Sequence, residues 1–424
     1  MKILLVHNRY QQPGGEDVVF EQEKQLLEQG GNEVITYCRS NHEIEKLTAL
    51  ERLTLVKRSI WAADTERDFA QLLTRESPDI VHVHNTFLMV SPSIYSACEV
   101  RGVPVVQTLH NFRLLCPVVT FCRDGKVCEE CVDQSLWRGV YHGCYRNSRP
   151  ATASVALMLA LHRRWGTWNE LVTCYIALTE FARNKFIGGG LPAEKIVVKP
   201  NFVNPDPGER EQPGEYGLFV GRLSPEKGVS TLLQAWEQLP EHCALHIVGD
   251  GPERKTLEAQ ARQRHLAAIT FRGHLSHEEA IAEVKGARFL IMPSVWYEGF
   301  PMTIAESFAC GTPVICSRLG GMEEIVDDHR TGLHFTAGDA KDVTRKVELA
   351  WTHSEEMARM GRAARAEYKA KYNAGRNYEM LMDIYQMTID KGCDGQRVDG
   401  RRDAAALTAE HRETTERPII SNDT

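Results

Sequence analysis

The chain has 424 residues, of which 42% are hydrophobic and 25% charged, with a formal net charge of −7. This length exceeds what one ordinary core needs and predicts two domains. The negative balance gives no reason to expect nucleic-acid binding. The apolar run Ile3–Val6 is shorter than the roughly 7–15 residues of a secretory signal, and no run approaches the ~20 residues of a membrane span. We therefore expect a cytoplasmic protein.

Short apolar segments alternate with longer amphipathic ones along most of the chain. This alternation predicts βα units and parallel sheets. The predicted strands of the first half are Ile3–Val6, Ile80–Val83, Val103–Thr108, Val172–Leu178 and Ile196–Val198. Those of the second half are Tyr216–Val220, Ala244–Val248, Ile269–Arg272, Phe289–Met292 and Pro313–Cys316.

A polar segment divides the chain. Residues 204–215 contain three prolines, two glycines and a charge cluster, which is typical of an interdomain linker. It separates a predicted N-terminal domain, residues 1–203, from a C-terminal domain, residues 216–375. A further helix is predicted at 376–390. The polar residues 391–424 predict a disordered tail.

The sharpest motif lies between a predicted strand and a predicted helix, at Pro293–Glu306. Pro301 stands where the helix would begin, a position that tolerates its missing N–H. The free amides of a helix start bind anions, and Gly299 lets the backbone approach a ligand closely. Glu298 and Glu306 can then hold hydroxyl groups on either side of a phosphate. The alternative is that Glu298 only complements the helix dipole and Glu306 is a surface residue.

A basic turn follows the predicted strand Tyr216–Val220. Arg222 and Lys227 flank this turn at the carboxyl end of the strand, where ligands bind in open α/β sheets. Two fixed cations there suit a diphosphate leaving group, which gains charge as the bond to it breaks. A solvated basic loop is the alternative interpretation.

Together, Arg222, Lys227 and Glu298-x7-Glu306 resemble the signature of glycosyltransferase family 4. The resemblance covers the chain from Met1 to about Asp390. It implies a retaining enzyme of the GT-B fold, in which two Rossmann-like domains face each other across a cleft. Further matching segments are Val248–Pro252, Ala309–Ile315 and Gly320-Gly321 with Glu324.

The resemblance also implies how a nucleotide-sugar donor would lie on the second domain. The charged contacts would be Arg222 and Lys227 on the pyrophosphate, Glu298 on the transferred sugar and Glu306 on the ribose. The other contacts would be the backbone of Gly299, Phe300 and Pro301 and, for the base, Leu275. The catalytic set would be Arg222, Lys227 and Glu298 with His110 of the first domain.

In the first domain the family places a glycine-rich loop and a histidine beside the donor. Gly14 and Gly15 match the loop and can bring backbone amides to an anion, although a simple tight turn is the alternative. His110 follows the strand Val103–Thr108. It can donate a hydrogen bond to a sugar hydroxyl or help neutralise the leaving phosphate. His82 and His84 alternate with valines, and we interpret them as structural.

The expected reaction is transfer of a hexose-type sugar from a UDP- or GDP-sugar to a glycan or lipid-linked acceptor, in surface polysaccharide assembly. Domain closure would bring Gly14, Gly15 and His110 onto the donor and exclude water. No Asp-x-Asp occurs in the context of metal-dependent transferases, so no cofactor is expected for catalysis. As in GT-B relatives, the helix 376–390 would cross back to the first domain.

Three other functions are open. A GT-B epimerase or phosphorylase would share the fold without a separate sugar acceptor. A catalytically silent scaffold would keep the fold, although the intact charged residues argue against it. A nicotinamide dehydrogenase would need a complete G-x-G-x-x-G, but the third glycine position after Gly249-x-Gly251 is Arg254.

Five cysteines fall between residues 116 and 144, inside an insertion at about 112–150. The Cys128-x2-Cys131 pair is typical of a tetrahedral metal knuckle. A subset of the family looks similar here. The predicted ligands of a structural zinc ion are Cys116, Cys128, Cys131 and Cys144, and reduced thiols without metal are the alternative.

No acidic residue occurs between Asp133 and Glu170, whereas arginines and aromatic residues are frequent there. The apolar run Val155–Leu161 lies in the same window. This composition is typical of docking on an anionic membrane surface, here the inner face of the membrane. An ordinary core helix with a solvated basic end is the alternative.

Overall fold

The computed structural model describes residues 1–11, 14–46, 48, 54–212 and 214–392. The strands are β1 (Lys2–Arg9), β2 (Glu33–Ser40), β3 (Ile80–Val83), β4 (Val105–Leu109), β5 (Cys122–Arg123), β6 (Lys126–Val127), β7 (Cys174–Ala177), β8 (Ile196–Val198), β9 (Tyr216–Val220), β10 (Leu245–Val248), β11 (Ile269–Gly273), β12 (Ala287–Met292), β13 (Val314–Ser317) and β14 (Gly332–Phe335).

The α-helices are α1 (Gly15–Gln29), α2 (Leu55–Ile60), α3 (Ala63–Glu76), α4 (Ser93–Val100), α5 (Glu130–Asp133), α6 (Trp137–His142), α7 (Arg149–Arg164), α8 (Glu180–Gly188), α9 (Val229–Trp236), α10 (Arg254–Gln263), α11 (His277–Gly286), α12 (Met302–Ala309), α13 (Gly321–Ile325), α14 (Ala340–Thr352), α15 (Ser354–Glu367) and α16 (residues 374–392). No described helix is long and apolar enough to cross a membrane.

The described strands form two parallel six-stranded sheets and one small hairpin. The first sheet has the order β2-β1-β3-β4-β7-β8 and the second the order β11-β10-β9-β12-β13-β14, with every neighbouring pair parallel. The antiparallel hairpin β5-β6 lies in the predicted insertion. Two Rossmann-like domains are therefore present, which confirms the expected fold class.

Strand β1 shows why the strands of these sheets appear in the sequence as continuous apolar runs. Successive side chains of a strand point to opposite faces. Leu4 and Val6 pack into one core, while Ile3 and Leu5 pack on the other face against Phe20 of α1. Because helices cover both faces of a parallel sheet, the segment Ile3–Val6 is apolar on both faces.

Helix α16 leaves the C-terminal domain and packs on the first sheet. It includes the predicted helix 376–390 and is longer by two residues at each end. The Asn377 amide donates to the carbonyl oxygen of Pro200 at 2.8 Å, and the Tyr378 hydroxyl donates to that of Gly30 at 3.0 Å. The apolar residues of α16 in the core with Ile3 and Leu5 are Leu381, Ile384 and Tyr385.

The segment expected as a linker is fixed to the C-terminal domain. Arg365 donates two parallel hydrogen bonds to Asp206, at 2.7 and 2.8 Å, and Arg210 donates to the carbonyl oxygen of Ala287 at 2.7 Å. A bidentate arginine–carboxylate pair is a strong, well-oriented contact. Of the predicted tail 391–424, residues 391 and 392 continue α16, and the others lie outside the described residues.

The order of each sheet reverses at one point, which opens a crevice at the carboxyl ends of two strands. In the first sheet this switch point lies between β1 and β3, and in the second between β9 and β12. Open α/β sheets bind ligands at such points. The loops after these strands carry most of the residues singled out above.

Substitution of Leu381 tests the docking of α16 on the first domain. Leu381 is fully buried, so Leu381→Ala leaves a cavity and is expected to lower the free energy of unfolding by about 2–5 kcal/mol. Urea denaturation measures this loss. The control Glu379→Ala, whose side chain is 66% exposed, should change it by less than about 0.5 kcal/mol. Equal effects of the two substitutions would contradict the observed packing.

Candidate active site

Glu298 is the centre of a buried polar cluster in the loop that follows β12. Its Oε1 accepts hydrogen bonds from Lys227 Nζ at 2.8 Å, Ser294 Oγ at 2.6 Å and Trp296 Nε1 at 2.9 Å. Three donors on one oxygen fix the carboxylate firmly. The described residues place no donor on Oε2, which is therefore available to a ligand. The structure thus brings Glu298 and Lys227 together across the switch point of the second sheet.

Arg222 has a different environment from Lys227. It is exposed in the turn after β9, and its guanidinium has no hydrogen-bond partner among the described residues. Lys227, by contrast, pairs with Glu298 and lies 5.4 Å from the centre of the Trp296 ring. Arg222 is free to meet an incoming anion, whereas Lys227 would have to share its charge with Glu298.

The start of α12 adjoins this cluster. Pro301 precedes the helix with an extended backbone, and the amides of Gly299, Phe300 and Met302 find no acceptor among the described residues. Unpaired amides at a helix start form an anion site. Glu306 lies in the second turn, with Oε1 3.7 Å from Nδ1 of His277, and burial raises the pKa of Glu306.

Leu275 follows β11, next to β10 in the second sheet. It is half-buried and packs against the core that contains Ile304 of α12. His277, two residues after Leu275, lies 3.7 Å from Glu306, so this segment adjoins α12.

The glycines of Gly249-x-Gly251 have a packing role. Gly249 has a φ of +132°, and a Cβ there would lie 1.9 Å from the carbonyl oxygen of Gly221; one at Gly251 would lie 2.4 Å from that of Leu223. Both glycines let the loop after β10 press against the turn that carries Arg222. Close backbone packing therefore accounts for the spacing without a dinucleotide.

The two domains meet at Gly299 and His110. A Cβ at position 299 would lie 2.6 Å from the carbonyl oxygen of His110, closer than real contacts allow. The loop with Glu298 is therefore in contact with the end of β4. This contact brings His110 to the residues of the second domain that were predicted to bind the donor.

The glycine-rich loop differs from the expectation. The Gly14 amide donates to Asp17 Oδ2 at 2.8 Å, and Asp17 Oδ1 lies 2.9 Å from His7 Nε2. The amide of Gly14 is thus used by the cap of α1 itself. The amide of Gly15 has no acceptor among the described residues and is the one available to an anion.

His110 is paired with His84. Its Nε2 lies 3.0 Å from His84 Nδ1, and the two rings stack with their centres 5.2 Å apart. Burial, followed by the charges of His7, His82 and Lys199, holds the pKa of His110 well below its usual range. A pKa in this direction favours the neutral imidazole in the ligand-free protein, and of the two roles expected for His110 it favours hydrogen bonding to a sugar hydroxyl.

The sequence analysis missed Glu16 as a residue of the cleft. Its carboxyl group accepts hydrogen bonds from the amides of Asn85 at 2.9 Å and Asn111 at 3.0 Å. Burial, and then the neighbouring Asp17 carboxylate, raise the pKa of Glu16 to about 8. A usable signal was the His-Asn pair that ends two neighbouring strands, since Asn85 and Asn111 both follow such a histidine.

The insertion contacts, through Glu129, the loop of residues 293–301 that carries Glu298; because this loop was predicted to bind the donor, we call it the donor loop. Glu129 Oε1 accepts hydrogen bonds from the Tyr297 hydroxyl at 2.7 Å and from Lys185 Nζ at 2.7 Å. Tyr297 directly precedes Glu298. The insertion therefore holds the second domain as well as the first.

The four cysteines predicted to bind a zinc ion all lie in the insertion. Their thiols are close enough to influence one another electrostatically, and all four are free. Among the described residues, however, no three of these sulfurs lie within 4.8 Å of one another. The residues concerned are Cys116, Cys128, Cys131 and Cys144. The zinc site therefore stays a prediction.

Comparisons with known proteins match both halves of the chain. The family model "Glycosyltransferase Family 4" matches residues 13–207, and "Glycosyl transferases group 1" matches residues 204–367. An uncharacterized glycosyltransferase of Methanocaldococcus jannaschii is 31% identical over 215 residues, 51% of this chain and 60% of that protein. Glycogen synthase of Mycobacterium tuberculosis is 29% identical over 305 residues. That alignment covers 70% of this chain and 66% of the synthase, so the chain spans under two thirds of both relatives.

Solved structures show the same fold. Sucrose-phosphate synthase from Thermosynechococcus elongatus superposes with a TM-score of 0.68 at 18% identity, over 91% of this chain and 98% of that one. The HepE protein of Anabaena in complex with UDP gives 0.65 at 19% identity, over 91% and 100%. Two facing Rossmann-like domains define the GT-B class of fold. With both family models matched, the chain belongs to glycosyltransferase family 4.

The raised pKa of Glu16 predicts a pH-dependent stability. In the unfolded chain this carboxyl loses its proton near its ordinary pKa of 4.5, but in the folded protein only near pH 8. Its contribution to folding is therefore complete below about pH 4.5 and lost as the pH rises to 8. Glu16→Gln cannot ionise, so its stability relative to wild type should rise across this window. Urea denaturation at a series of pH values measures the difference.

The control for Glu16 is Glu355→Gln, which changes an exposed carboxylate at the start of α15. This control should show a constant difference from wild type between pH 4.5 and 8. A constant difference for Glu16→Gln as well would mean that Glu16 ionises normally in the folded protein.

Proposed function

We propose that the protein is a retaining glycosyltransferase that moves a hexose-type sugar from a UDP- or GDP-sugar to a glycan or lipid-linked acceptor, in surface polysaccharide assembly. The observation that carries this proposal is the anchored Glu298 carboxylate beside the free helix start of α12, with Arg222 and Lys227 across the switch point. Family membership supports the reaction class. The structures of HepE with UDP and with UDP-glucose support a uridine nucleotide donor.

The donor would lie between these groups. Its pyrophosphate would bind at Arg222, Lys227 and the α12 amides, and its ribose hydroxyls at Glu306. As the bond from sugar C1 to the phosphate oxygen breaks, its electron pair passes to the phosphate, whose growing charge these donors stabilise. The acceptor oxygen bonds to C1, and its proton passes to the departing phosphate oxygen. Because fixed cations and helix amides already supply positive charge, we propose that catalysis needs no metal cofactor.

The first domain would hold the acceptor and complete the site. The amide of Gly15 and the ring of His110 lie at the carboxyl ends of β1 and β4, and the contact of His110 with Gly299 brings them to the donor loop. A closed cleft excludes water, which would otherwise compete with the acceptor hydroxyl. This arrangement favours transfer to an acceptor over hydrolysis.

A basic–aromatic patch supports the membrane part of the proposal. We define this patch as Trp137, Arg138, Tyr141 and Arg149. Trp137 is 53% and Tyr141 64% exposed, and both arginine guanidinium carbons lie 5.8 Å from the centre of the Tyr141 ring. Exposed aromatic rings beside cations are typical of surfaces that rest on anionic lipid. We propose that this patch docks the first domain at the inner face of the membrane.

Nucleotide binding tests the donor site without knowledge of the acceptor. A ligand that binds only the folded state at 100 times its Kd adds about 2.7 kcal/mol, which should raise the Tm by about 5 °C. Thermal unfolding with UDP-, GDP- and ADP-sugars, without added metal, measures the shift. We expect one nucleotide class to stabilise wild type and Glu355→Ala equally, and Glu306→Ala much less. No shift with any nucleotide would favour the silent scaffold.

Vesicle binding tests the patch. The protein should co-sediment with vesicles that contain anionic lipid but not with purely zwitterionic ones, and salt should weaken the binding. The double variant Trp137→Ala/Tyr141→Ala should bind several-fold less. Val100→Ala, which removes a 77% exposed apolar side chain outside the Asp133–Glu170 segment, is the control. Equal binding by all three proteins would contradict docking through the patch.

A further inference from the structure

A line of buried polar side chains runs from α16 to the cleft. Lys199 Nζ donates to Glu23 Oε1 at 2.7 Å and to Asn377 Oδ1 at 3.1 Å. Glu23 Oε2 lies 3.4 Å from His84 Nε2, and His84 Nδ1 lies 3.0 Å from His110 Nε2. All of these residues except His110 are at most 3% exposed. The line therefore connects a buried ion pair with the histidine that faces the donor loop.

Two facing atoms decide where the proton of His84 lies. Glu23 Oε2 and His84 Nε2 are buried and face each other at 3.4 Å, and neither forms a well-aligned hydrogen bond with any described residue. Because Glu23 is ion-paired with Lys199, its carboxylate can only accept. Two acceptors enclosed against each other would both lose the hydrogen bonds they make in water. The proton of His84 must therefore be on Nε2, which leaves Nδ1 as an acceptor.

The same reasoning fixes the position of the proton on His110. A neutral imidazole has one N–H and one lone pair. Since His84 Nδ1 accepts, His110 must donate through Nε2 across the 3.0 Å contact. Nδ1 of His110 is then a lone pair, and the described residues offer it no partner. His110 is half-buried at the cleft, so this acceptor is open to a ligand.

A metal site is the alternative interpretation of this cluster. Glu23, His82 and His84 each present a ligand atom within 4.8 Å of the others. However, the Lys199 ammonium lies 2.7 Å from Glu23 and would repel a divalent cation. Both ring nitrogens of His82 are also engaged, with Tyr385 at 2.7 Å and Thr108 at 2.8 Å. The cluster suits a fixed chain of hydrogen bonds better than a metal.

We propose that Glu23 and His84 are positioning residues that hold His110 as the Nε2–H tautomer, so that Nδ1 accepts a hydrogen bond from a hydroxyl group of the bound sugar. The identity of the ligand rests on the proposed function, but the tautomer does not. The direction of this hydrogen bond is the reverse of the one expected from the sequence, in which His110 donates. The site would therefore select a sugar that carries a hydroxyl group opposite His110 Nδ1.

The tautomer can be read directly by long-range ¹H–¹⁵N NMR on protein labelled with ¹⁵N-histidine. The His110 signals are assigned by their loss in His110→Gln. In the wild type we expect the proton on Nε2. In Glu23→Gln the side-chain oxygen faces Lys199 and the NH₂ group donates to His84 Nε2, which reverses the chain and moves the proton of His110 to Nδ1. A merely structural role for Glu23 would not invert the tautomer.

Two further variants complete the experiment. His84→Phe removes the acceptor, so His110 should populate both tautomers. His162→Gln is the control, because His162 is buried but forms hydrogen bonds with Thr167 and the carbonyl oxygen of Ile60, away from Glu23 and His84. The His110 signals of this variant should match those of the wild type. A wild-type His110 protonated on Nδ1 overturns the proposal, even where Glu23→Gln does not fold. Unchanged His110 signals in both Glu23→Gln and His84→Phe overturn it as well.

Kinetics test the second half of the proposal separately. The spectra need no ligand, so they test the tautomer even where no nucleotide binds and the proposed function fails. With the donor found by thermal unfolding, Glu23→Gln should lower kcat/KM about tenfold, since a lone pair at Nδ1 is replaced by a donor. His162→Gln should leave kcat/KM unchanged. An inverted tautomer with wild-type kcat/KM would overturn the contact of His110 with the sugar.

Discussion

The close approach of Gly299 to the carbonyl oxygen of His110 is the constraint on which the arrangement of the cleft depends. A side chain at position 299 would meet that oxygen at 2.6 Å, so only glycine allows the loop of the second domain to touch the end of β4. Both sides of this contact, the loop with Gly299 and the end of β4 with His110, are fixed within their own domains. Glu298 is fixed by three donors, and His110 by His84. Because both sides are fixed, the contact defines the distance between the domains.

The two sides of the cleft carry complementary chemistry. The second domain offers cations and free amides at the start of α12, which suit phosphate. The first domain offers neutral groups, because burial keeps His110 uncharged and raises the pKa of Glu16 to about 8. Neutral donors and acceptors suit hydroxyl groups. In the proposed site the nucleotide would therefore lie on the second domain, and the sugar between Glu298 and the neutral groups of the first domain.

Much of the fold could be predicted from the sequence, because apolar strands and amphipathic helices alternate with a clear period. The charged set at Arg222, Lys227, Glu298 and Glu306 could also be predicted, since these residues lie in short motifs at strand ends. The neutral state of His110 could not, because burial and partners distant in the chain decide it. The zinc ligand set stays a prediction, because spacing does not fix how four sulfurs are oriented.

A crystal structure with a bound nucleoside diphosphate tests the central claim most directly, using the nucleotide class that stabilises the protein. We expect the two phosphates at the amides of Gly299, Phe300 and Met302, within hydrogen-bond distance of Arg222 and Lys227. The ribose hydroxyls should contact Glu306. A nucleotide bound elsewhere, for example at the loop after β10, would contradict the account of the site and of the role of Glu298.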